Sequence, residues 1–132
     1  MRLWHEYMIP ALSRQHLLGQ HRECCALRGN GWGKKHSVVD YVFTYTPYHL
    51  FKYHLLILEE MIRREYKPNE LWFAPEYRGT TCEPYQKLER IITNRPIYQQ
   101  HDEYYLVECL ENMRQKGFNY MIDRTYEEWE NL

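Results

Sequence analysis

The stretch that most constrains the fold is Thr46-Pro47 with the residues that follow, Tyr48 to Glu65. Thr46 predicts a helix N-cap. Pro47 fits the first helical position, where a missing amide hydrogen leaves no intrahelical bond unmade. Phe51, Leu55, Leu58 and Ile62 recur at helical spacing, and Leu50, Leu56, Ile57 and Met61 widen the stripe. A helix apolar on so many sides is hidden only at the centre of a helical protein. Pro68 marks its end. His49 and His54 read as satisfied polar residues of that helix rather than as metal ligands.

A second helix is predicted from Ser13 to Arg28. Ser13 is its N-cap, and Leu17, Leu18, His21, Cys24 and Cys25 form its apolar stripe. On another face His16, Gly19, Gln20 and Glu23 lie together, with Arg22 on the flank. Glycine costs a helix interior ~1 kcal/mol relative to alanine, and it leaves room for a ligand or another backbone. A carboxylate over a glycine, beside a histidine and an arginine, therefore marks a candidate site. The alternative is a solvated surface helix.

The segment from Arg28 to His36 is a glycine-rich basic loop. Lys34 and Lys35 suit phosphates, and Trp32 is placed either to stack on a base or to fold back onto the core. Ser37 to Tyr45 reads as extended or short helical linkage. A short helix is predicted over Tyr85 to Asn94, carrying Lys87 and Arg90 on one side, before Arg95 and Pro96. Asp102 caps a further helix striped by Leu106, Cys109, Leu110 and Met113, which ends at Gly117. Glu127-Glu128-Trp129-Glu130 reads as an acidic surface turn. The expectation is an all-α, compact single-domain fold over residues 1–132, with three main helices and long connecting loops.

The net charge of −1 argues against a uniformly basic coat for nucleic acid. Its distribution is uneven: ten Lys/Arg face six Asp/Glu over residues 1–67, but three face eight over 99–132. Such asymmetry allows a basic face built by the front of the chain and an acidic back. The 13 Tyr and 4 Trp suit base stacking and core packing alike. Cys24, Cys25, Cys82 and Cys109 show no CxxC pair and no ligand-like spacing with histidine, so no metal or other cofactor is expected. No signal peptide or membrane span is visible, which places the expected compartment in a reducing cytoplasm.

Gln15-His16-Leu17-Leu18 followed by His21-Arg22-Glu23 resembles the QHL…YRE helix of phage-type pyrimidine-dimer DNA glycosylases, also called endonuclease V. Thr46-Pro47 opening a long apolar helix is a second similarity. Leu88-Glu89-Arg90-Ile91 leading into Asn94-Arg95-Pro96 is a third. The three occur in the family's order, and Met1-Arg2-Leu3-Trp4 resembles the start of a bacterial branch.

The resemblance implies an all-α fold, damaged double-stranded DNA as partner, and a DNA-repair glycosylase with abasic-site lyase activity. In the family an N-terminal α-amine attacks C1′ and forms a Schiff base, assisted by a helix glutamate. Glu23 matches that glutamate. Family members begin with Thr after a removed initiator; here Arg2 follows Met1, and so large a side chain generally leaves the initiator in place. Overlaying Met1-Arg2-Leu3 on the family's mature start makes the Met1 amine the nucleophile. Arg2, His16, Arg22, Lys34, Lys35, Lys87, Arg90 and Arg95 are the expected DNA-binding residues. A non-catalytic DNA-binding module on this scaffold, or a small partner-binding helical protein, would have the same fold.

Overall fold

A computed structural model of the chain describes residues 2–35 and 39–118. Among them are three α-helices: α1 (Arg14–Arg28), α2 (Pro47–Arg63) and α3 (Glu103–Gln115). Three short 3-10 helices cover Glu6–Ala11, Asp40–Thr44 and Glu70–Phe73, and no strand occurs among the described residues. The fold is all-α. Met1, His36 and the acidic turn at 127–130 lie outside the described residues.

Helix α2 is the axis of the core. Its deepest face is Leu50, Tyr53, His54, Ile57, Leu58 and Met61, at the i, i+3, i+4 rhythm of a helix packed on one side. That face is rotated from the predicted Phe51–Ile62 line, and Ile62 is exposed. Helix α1 buries Leu17, Cys24 and Leu27 in the same core, the N-terminal segment adds Leu3 and Met8, and α3 adds Cys109 and Met113. Burying each large apolar side chain contributes roughly 1.5–3 kcal/mol, so three helices and a tightly packed N-terminus form one core.

Two predicted caps are made as drawn. Ser13 Oγ accepts from the His16 amide at 3.1 Å, and an Asp102 carboxylate oxygen accepts from the Tyr105 amide at 2.8 Å. Thr46 makes no capping bond; its hydroxyl pairs instead with His49 Nδ1 at 2.9 Å. Gly117 (φ +86°) ends α3, with the Phe118 amide reaching back to the Met113 carbonyl. The 37–45 linkage contains the 3-10 helix Asp40–Thr44.

The helix predicted over 85–94 does not form: this stretch is irregular and largely exposed, with Ile92 96% accessible. Ten residues barely repay helix nucleation without a buried face, and the β-branched run Ile91-Ile92-Thr93 weakens the case further. Of the two placements open to Trp32, the structure shows the second: it is folded back onto the core, its ring edge-on to Phe43 at 5.0 Å.

Candidate active site

Arg2 and Trp4 form one wall of a cleft of about 460 Å³, with Leu3 between them fully buried. Helix α1 supplies the floor through Gln15, His16, Gly19, Gln20, Arg22 and Glu23, and the end of α3 contributes Lys116. The spacing of the α1 residues, 15/16, 19/20 and 22/23, is that of one helical face. Gly19 keeps this floor low: a Cβ there would meet only the Arg22 guanidinium, at 3.8 Å.

Arg2, Arg22 and Lys116 share this lining with one carboxylate, that of Glu23. Arg2 lies over the Trp4 ring at 5.3 Å and the Tyr105 ring at 6.0 Å, and Lys116 Nζ lies 5.6 Å from the Trp4 ring centre. Trp4 thus lies within cation–π range of two cations. His16 packs edge-on to Phe118 at 4.8 Å, and its Nδ1 is 2.6 Å from the Ser13 hydroxyl. Burial, then the nearby Lys116, lowers the His16 pKa, which keeps the ring neutral at pH 7. Glu23 Oε2 is buried and has no hydrogen-bond partner among the described residues. A buried, unpaired carboxylate oxygen is costly to maintain without a role.

Of the sequence-predicted site residues, the structure brings Arg2, His16, Arg22 and Glu23 into one cleft. Lys34 and Lys35 are exposed beyond the C-terminal end of α1, and Lys87 is exposed on the irregular connector. Arg90 pairs with Glu76 at 3.2 Å, and Arg95 pairs with the buried Glu6. Arg95 lines a different depression, with Glu60 and Arg63. None of these five lines the cleft. Lys116 was missed because it reaches the cleft from a helix some 90 residues downstream of α1.

A second constellation lies on the opposite side of α1. His21 and Cys25, one turn apart, converge with His54 of α2 so that their ligand-type atoms fall within 4.8 Å of one another. The cysteine–histidine spacing is therefore ligand-like after all, a fact hidden by the third member's place on another helix. The donor pattern nonetheless disfavours a metal. Arg28 donates to His54 Nδ1 at 2.9 Å, and guanidinium has no acceptor, so the His54 proton sits on Nε2, 2.8 Å from His21 Nδ1. The nitrogen that would ligate carries hydrogen. Burial also pushes the Cys25 thiol up to about 11, away from the thiolate a metal needs.

Comparison with protein families gives one match: the model described as pyrimidine dimer DNA glycosylase covers residues 1–74. That span holds the N-terminal segment, α1 and α2, and every cleft residue except Lys116. No curated protein and no solved structure matches the chain significantly. The family match implies a DNA glycosylase and DNA as its substrate. More than half of the chain is matched, and the chain belongs to the pyrimidine dimer DNA glycosylase family.

Proposed function

We propose that the chain excises pyrimidine dimers from double-stranded DNA as a glycosylase with abasic-site lyase activity. In this reading the α-amine of Met1 is the nucleophile and Glu23 the acid–base group. The amine adds to C1′ as the glycosidic bond breaks and the base departs with its electron pair. Loss of the amine proton and opening of the sugar give a Schiff base. Removal of a C2′ proton then expels the 3′ phosphate. An α-amine suits this role, since its unperturbed pKa of about 7.7–8.0 leaves a useful neutral fraction near pH 7.

The observation that carries the reading is the buried Oε2 of Glu23, without a hydrogen-bond partner among the described residues, in the cleft that Arg2 also lines. Arg2 is one peptide unit, about 3.8 Å between consecutive Cα atoms, from residue 1. Arg2, Arg22 and Lys116 supply positive charge for the flanking phosphates, and neutral His16 supplies a hydrogen-bonding group for sugar or base. Lys34 and Lys35 continue the phosphate-binding surface past α1. Arg90 and Arg95, engaged with Glu76 and Glu6, and Lys87 lie away from the cleft and are not assigned to this surface.

Glu23→Gln keeps the side chain's shape and removes its titratable group. On duplex DNA carrying a pyrimidine dimer it is expected to lose strand cleavage by roughly 10²–10⁴-fold, the scale of a lost acid–base group, with affinity nearly unchanged. Cleavage at the wild-type rate would remove Glu23 from the mechanism. A wild-type chain that bound the lesion without releasing base or cutting the strand would be the non-catalytic module instead.

A further inference from the structure

The backbone of residues 2–4 is held by side chains rather than by secondary structure. Gln20 accepts the Trp4 amide at Oε1 (2.7 Å) and donates from Nε2 to the Arg2 carbonyl (3.0 Å). One side-chain amide thereby meets the two backbone groups that a neighbouring strand would meet. The Tyr53 hydroxyl of α2 donates to the Trp4 carbonyl at 2.6 Å and lies 3.1 Å from Gln20 Oε1. The Tyr105 hydroxyl of α3 donates to the Leu3 carbonyl at 2.6 Å. All three helices therefore grip three consecutive residues. Gln20 is 3% exposed and Tyr53 fully buried, so water does not compete for these bonds.

The orientation of the Gln20 amide is fixed by its partners. Reversed, it would set two donors against each other at Trp4 and two acceptors at Arg2. Gln20 and Glu23 also stand three residues apart on one face of α1, and both line the cleft. A single helical turn thus carries both the clamp on residues 2–4 and the Glu23 carboxylate.

We propose that Gln20 is a positioning residue that sets the N-terminal amine against Glu23 and the sugar; this rests on the amine mechanism proposed above. Its side-chain amide is engaged with the backbone of Arg2 and Trp4 rather than with the reacting atoms. The last backbone group it holds is the Arg2 carbonyl, leaving only Arg2 and the peptide bond before it between the clamp and residue 1. Catalysis through a bound amine depends on alignment, and a displacement of about 1 Å is enough to cost 10²-fold.

The test uses the full chain with Gln20→Met, which removes both bonds, and Gln20→Glu, which keeps the acceptor for Trp4 and loses the donor for Arg2. Four quantities are read. They are the thermal melt, the affinity for duplex carrying an unreactive tetrahydrofuran abasic analogue, the single-turnover rate of borohydride trapping on abasic DNA, and borohydride-dependent alkylation of the amine by a small aldehyde. Gln20→Met is expected to trap DNA about 10²-fold more slowly, and Gln20→Glu to show a smaller loss in the same direction. Analogue affinity is expected to stay within about twofold, and the small aldehyde, which needs no alignment, to react as in the wild type. Should Gln20→Met melt below the assay temperature, Gln20→Glu carries the test alone. Trapping of DNA at the wild-type rate by a folded variant would overturn the role of Gln20 while leaving the amine mechanism standing. A parallel fall with the small aldehyde would also overturn it, because the amine's reactivity and not its placement would have changed. A wild-type chain with no N-terminal adduct would contradict the amine mechanism itself, and the role of Gln20 would fall with it.

Discussion

Gly19 shows how a single residue of α1 trades stability for access. The only atom within 4 Å of an added Cβ is a guanidinium nitrogen of Arg22, at 3.8 Å, an ordinary contact. Gly19→Ala is therefore expected to stabilise the protein by up to ~1 kcal/mol, the helix-propensity difference, as measured by chemical denaturation. The methyl group projects into the cleft, so cleavage of damaged DNA should fall in the same variant. A gain in both stability and activity would show that the floor beneath Glu23 is not where substrate lies. The grouping of His16, Gly19, Gln20 and Glu23 was legible in the sequence because helical spacing alone puts them on one face. Lys116 and the Gln20 clamp were not, since both depend on which distant segment crosses that face. The pairing of Arg95 with Glu6, 89 positions apart, was hidden for the same reason.

Between elements, Arg28 is the main joint. Its buried guanidinium donates to His54 on α2 and to the carbonyls of Trp72, Ala74 and Tyr77, tying the last 3-10 helix and the turn after it to α1. It stacks over Phe51 and Trp72 and lacks a carboxylate partner among these contacts. Burial lowers its pKa to about 10, which still leaves it cationic at pH 7. Arg28→Met strands three carbonyls and is expected to cost about 3–5 kcal/mol, the scale of a broken buried polar network. Arg28→Lys should rescue little of that, because an ammonium lacks the planar fork that reaches four acceptors. Equilibrium unfolding would check both; a loss below ~1 kcal/mol would contradict the assignment. The three long helices were legible from apolar periodicity and two of three caps from local chemistry. The absent 85–94 helix was not: its charges follow helical spacing, but no core face receives its apolar residues.

At the scale of the whole molecule, three buried histidines make the fold sensitive to acid. Burial holds His5 down to about 4 and His101 to about 3, and burial together with Arg28 and His21 holds His54 well below its ordinary value. All three are neutral in the folded state, whereas the unfolded chain takes up their protons below about pH 6.5. The stability they allow is complete above that pH. It is lost as pH falls toward 4 and 3, at up to about 1.4 kcal/mol per pH unit for each histidine. Denaturation midpoints that stayed flat from pH 7 to 4 would contradict this. The charge asymmetry acts at the same scale. Neutralising Arg2 or Arg22 should lower the slope of log affinity against log salt by about one unit each. Neutralising Arg95, engaged with Glu6, should leave that slope unchanged.

The helical cleft is proposed to carry out glycosylase–lyase chemistry through the amine of residue 1. Borohydride reduction of the wild-type protein with abasic duplex DNA, followed by peptide mapping of the cross-link, tests it most directly. A covalent adduct is expected on the amino-terminal peptide, at the α-amine of a retained Met1, and it should be lost when that amine is acetylated beforehand. An adduct on Lys34, Lys35 or Lys116, or tight DNA binding with no adduct, would contradict it.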